Sequence, residues 1–82
     1  MPSNFENLAH PESAEAVTPV DGTNLTNPGT LFVGTGGDLN VILVEDTAPV
    51  LFRNVADGSF FPLQVIQVLA TSTTASDIVV VY

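Results

Sequence analysis

Arg53 is the only Lys or Arg in these 82 residues and stands against nine Asp and Glu, for a net charge of −8. A guanidinium presents a planar fork of donors that suits a carboxylate. We therefore expect Arg53 either to pair with an Asp or Glu of a neighbouring chain or to sit exposed at a strand edge. In the second case it is worth under about 1 kcal/mol. His10 is the single imidazole and precedes Pro11. Acid–base or nucleophilic work needs it held beside a nucleophile or an orienting carboxylate, which a proline-flanked segment does not offer. Gly34-Thr35-Gly36-Gly37 has the glycine density of a phosphate loop. Such a loop opens a helix, whereas Leu39–Val44 reads as a strand, so a hairpin turn is expected. Oxygen ligands for calcium occur at Asp21-Gly22-Thr23-Asn24, Asp38-Leu39-Asn40 and Glu45-Asp46, without the ligand spacing of an EF-hand. They read as solvated turn residues. Paired carboxylates for glycoside hydrolysis need a sheltered cleft, for which a short β-domain has little room. Asn24-Leu25-Thr26 fits a glycosylation sequon only by chance if the chain is not secreted. No catalytic, cofactor-binding or metal-binding residue is expected, and no enzyme.

Composition narrows the partners. One Arg and no Lys cannot neutralise a row of phosphates, which excludes nucleic acid as a partner. An anionic membrane surface is disfavoured for the same reason. Without cysteine there is no disulfide framework and no thiolate zinc site. Glu6 stands where a signal peptide carries Lys or Arg, and no apolar run reaches membrane-spanning length. A soluble chain without a secretory signal is the expectation. With 45% apolar and 12% charged residues, it is too hydrophobic for a disordered tail, and at 8.6 kDa it has room for one domain.

The chain changes character near Pro28. Residues 1–29 hold four of the six prolines and read as an extended N-terminal arm, with a capping box at Ser3-Asn4-Phe5-Glu6 opening a turn or two of helix before Pro11. Phe5, Leu8, Val17, Val20 and Leu25 give this arm apolar side chains to bury on a neighbour; a floppy terminus is the alternative. Together with Arg53 and Tyr82 they form the candidate interface. Residues 30–82 read as a β-domain, with strands at Thr30–Val33, Leu39–Val44, Pro49–Val55, Phe60–Ala70 and Ile78–Tyr82. The class is all-β, a small antiparallel β-sandwich or barrel. Phe32, Leu43, Phe52, Phe61, Val65 and Val68 are the expected core. Several strands are apolar on both faces, where a lone sandwich would alternate. A short domain cannot cover both faces from its own chain, which points to a homo-oligomer.

Five segments carry a more specific signal. They are Ala16-Val17-Thr18-Pro19, Asp21-Gly22-Thr23-Asn24-Leu25, Leu31-Phe32-Val33-Gly34, Gly36-Gly37-Asp38-Leu39, and the closing stretch from Val68-Leu69-Ala70-Thr71 through Asp77-Ile78-Val79-Val80-Val81-Tyr82. In this order, over residues 14–82, the chain resembles the short head-spike base proteins of gene transfer agents and related tailed phages of alphaproteobacteria. The resemblance implies a structural virion protein, made in the host cytoplasm and carried on the outer surface of the capsid. It would be either a capsid decoration (cement) protein or a head-spike base. The implied partners are the major capsid protein, further copies of the chain (a trimer ahead of a pentamer) and a spike fibre. A spike-associated carbohydrate- or receptor-binding module is the alternative. Sugar binding wants exposed aromatic platforms, whereas Tyr82 and the five Phe fall mostly within apolar strands.

Overall fold

The computed structural model describes residues 12–82, so the capping box, Phe5, Leu8 and His10 lie outside the described residues. Six strands follow: β1 (Ala14–Val17), β2 (Gly29–Thr35), β3 (Gly37–Leu43), β4 (Val50–Val55), β5 (Ser59–Val68) and β6 (Ser76–Val81). They form one sheet in the order β1-β6-β2-β5-β3-β4, with every pair antiparallel. The five strands expected from turn residues are all present, and β1 is an addition.

Two local devices let this single sheet cover its own core. The first is the bend in β5. Its start pairs with β2 (Leu31 with Phe61, Phe32 with Phe60, Val33 with Ser59), and its end pairs with β3 (Val41 with Val68, Ile42 with Gln67). Pro62 lies between the two halves. It has no N–H for a ladder, so a bulge is where a strand tolerates it, and the β2–β5 register shifts opposite it, between Gly29 and Leu31. A strand bent in this way passes from one half of a sheet to the other and turns their inner faces together.

The second device is the Gly34–Gly37 stretch. It is not the expected hairpin turn, because β2 and β3 are not neighbours in the sheet. It is a corner pressed against the β4–β5 connection. The Gly36 N–H donates to the Asp57 carboxylate at 2.6 Å, and the Gly58 N–H donates to the Gly34 carbonyl at 3.2 Å. A Cβ on Gly36 would overlap the Val55 carbonyl oxygen, and Gly37 has φ 153°, a region that L side chains avoid.

The inward positions form one buried cluster: Leu31 and Val33 of β2, Leu39 and Val41 of β3, Phe61, Val65 and Val68 of β5, Ile78 and Val80 of β6, with Ala75 beside them. Leu43 and Phe52 pack at its margin, and Phe52 meets Phe61 edge-on at 4.8 Å. Phe32 corrects the expected core. Leu31 and Val33 take the inward positions, so strand alternation sends Phe32 to the opposite face, where it meets Phe60 edge-on at 5.1 Å.

Residues 12–28 lie along this same sheet. β1 pairs with β6, and Val17 and Leu25 pack against the core of their own chain. The Val20 N–H donates to the Val68 carbonyl and the Leu25 N–H to the Ile66 carbonyl. Buried Gln67 clasps the intervening turn, accepting from the Gly22 N–H and donating to Asn24 Oδ1. The Asp21 carboxylate accepts from the Thr71 hydroxyl and from the N–H groups of Thr71 and Ala70. These bonds, the Thr71 hydroxyl foremost, hold its pKa below the ordinary 3.8.

Leu39→Ala, at a fully buried side chain, is expected to cost about 2–5 kcal/mol in chemical denaturation. Val50→Ala, at a side chain 43% exposed, should stay within about 0.5 kcal/mol. For Asp21 the folded pKa is the lower one, so its contribution is fully present above the unfolded pKa and is lost as pH falls through the folded value. The gap in denaturation midpoint between the wild type and Asp21→Ala should be widest near neutral pH and narrow below pH 3.8. A gap independent of pH would remove the carboxylate from this role.

Candidate functional site

Among the described residues, those singled out in the sequence do not converge on one place. Arg53 is 69% exposed and reaches Asp38 of its own chain, Nη1 to Oδ2 at 3.4 Å. One long contact at an exposed side chain is a weak pair. Asp38 does more through its other groups. Its Oδ1 accepts from the Asn54 N–H at 3.3 Å, its own N–H donates to Thr74 Oγ1 at 2.8 Å, and its carbonyl accepts from the N–H groups of Thr74 and Ala75. This ties β3 to the β4 end on one side and to the loop before β6 on the other. Tyr82 is half-buried; its carbonyl accepts from Glu12 and Ser13, and its N–H donates to Ser13. Val20 stays exposed, whereas Val17 and Leu25 are taken up by their own core.

Four of the turn carboxylates accept hydrogen bonds that fasten loops. Asp57 holds Gly36 and Asp77 accepts from the Thr35 hydroxyl at 2.9 Å, in the same manner as Asp21 and Asp38. Among the described residues no group of three or more His, Asp or Glu is placed to hold a metal. A hollow of about 150 Å³ lies between the 18–26 segment and the sheet, lined by Val17, Val68, Val80, Asn24, Glu15 and several threonines. It brings one carboxylate among neutral groups, which is not an acid–base pair.

What the fold does assemble is an apolar surface. On β1, β6, β2 and β5 the register aligns Ala16 with Val79, Val79 with Phe32 and Phe32 with Phe60. This row runs across four strands on the face away from the core. Beside it Ala14 pairs with Val81 and Val81 with Thr30. Phe60 is 62% exposed. A shallow groove of about 320 Å³, lined by Glu12, Ser13, Ala14, Phe60 and Val81, ends the surface on one side. The sequence shows only an apolar run, Leu31-Phe32-Val33, and a Phe60-Phe61 pair. Which member of each faces outward depends on the strand partners.

No protein-family model matches the chain, and no curated protein matches it. Among solved structures it is similar to a chain in the structure described as "Capsid of native GTA particle computed with C5 symmetry". The two are 32% identical, the match covers 88% of this chain and 83% of that one, and the folds superpose with a TM-score of 0.77. Identity and fold agree over nearly the full length of both chains, and on that basis this protein belongs among the capsid-related structural proteins of gene transfer agents and phages.

Proposed function

We propose that the chain is a non-enzymatic protein of the outer surface of a phage-like head, seated on the major capsid protein as a decoration (cement) protein or as the base of a head spike. The observation that carries this reading is the match to a chain of a GTA capsid structure at 32% identity over 88% of the sequence. The charge supports it. At −8, free copies repel one another and remain soluble, while a basic shell would steer them to their seats. The sheet supports self-association. Among the described residues β1 and β4 are its edges, each with one side unpaired, and an unpaired edge is a ready template for another strand. Joining edge to edge in a closed ring leaves no edge free to grow a fibre.

Heads assembled without this protein, mixed with the purified chain, should acquire density at fixed symmetry positions in an electron cryomicroscopy map. The copy number at each position separates a threefold from a fivefold ring. Density between capsomers, as opposed to density beneath a protrusion, separates cement from spike base. Heads that neither co-sediment with the chain nor show added density would end the proposal. Native mass spectrometry of the free chain should shift toward the oligomer as salt rises to a few tenths molar, where screening shortens the reach of like charges to under about 8 Å.

A further inference from the structure

We propose, building on the head-surface reading above, that the outer face of β1, β6, β2 and β5, anchored by Phe60, is the surface by which this chain sits on its head, and that it meets an apolar shell patch flanked by Lys or Arg. The face has the anatomy of a binding surface. Its middle is the in-register row Ala16, Val79, Phe32 and Phe60, continued by Ala14 and Val81 toward the groove. Phe60 projects most, at 62% exposed, and Phe32 supports it edge-on from the neighbouring strand. A held aromatic loses little freedom on binding, and such side chains are the usual anchors of interfaces.

Charge selects the occupant. Alternation turns Glu15 to the opposite face, where it is registered with core residue Val80, so the rows themselves are uncharged. Carboxylates stand at the two ends, Glu12 on the groove and Asp77 beside Thr35. A second copy brought against this face would oppose −8 with −8. The one Arg of each chain is on β4, at the far edge of the sheet, and already contacts Asp38. A surface of opposite sign satisfies the ends while apolar atoms fill the middle.

The test compares head binding of the wild-type chain with three variants, each first shown to keep the wild-type melting temperature. Phe60→Ser should weaken binding at least about tenfold, as loss of an aromatic anchor does. Glu12→Gln together with Asp77→Asn should flatten the decline of affinity with salt. Asn is apt at position 77, whose φ of 55° it tolerates. Val44→Ser, at an exposed residue just after β3, should bind as the wild type does. Equal binding of Phe60→Ser and wild type would overturn the proposal. So would Phe60→Ser breaking the free oligomer into monomers with unchanged affinity for heads, since the face would then belong to contacts between copies. Failure of the wild-type chain itself to bind heads would instead defeat the head-surface reading, and this inference with it.

Discussion

Val65 is the residue at which β5 changes neighbours, registered with Gly29 of β2 on one side and with Leu43 of β3 on the other. A single antiparallel sheet has two faces and no layer of its own to cover either one. Crossing from one half of the sheet to the other within one strand is what gives this chain an inside. The bulge that accommodates Pro62 bends the strand at this crossing, and the Gly36 corner makes it compact. Every buried side chain of the cluster owes its neighbours to that geometry, because β2 and β3 follow one another in sequence yet are not hydrogen-bonded to each other.

Much of the strand layout was legible because the turn residues are strong. Asp57-Gly58 and Glu45-Asp46 break the chain where the strands end. β1 was not legible. Ala14-Glu15-Ala16-Val17 has little β propensity, and it is a strand because β6 offers it an edge. Asp21 and Thr71 stand 50 residues apart, so nothing local announces their clasp. The outward aromatic pair was hidden for a related reason: in Leu31-Phe32-Val33 both parities are apolar. Only the register with β5 and β6 decides that the largest of the three faces out.

The acidic composition serves two ends at once. Asp21, Asp38, Asp57 and Asp77 each accept hydrogen bonds that fix a loop or a corner, so they do more than stay solvated in turns. Charge in these places also accumulates a field that one Arg cannot offset. The chain is therefore folded with the help of carboxylates that leave it anionic wherever it goes, and the uncharged face across β1, β6, β2 and β5 is the exception.

β6 is the last strand in chain order, yet it lies between β1 and β2. Of the described strands β1 pairs with β6 alone, so the earliest of them waits for the latest before it has a neighbour among them. During synthesis the β2–β5 and β3–β4 pairings can close while Ala14–Val17 remains without a partner. Non-local pairing of this kind slows folding. It also sets the order of opening in the finished molecule. Loss of β1 and the 18–26 segment exposes the flank of β6 while leaving the bent β5 in place, a partial opening of low cost compared with unfolding the whole.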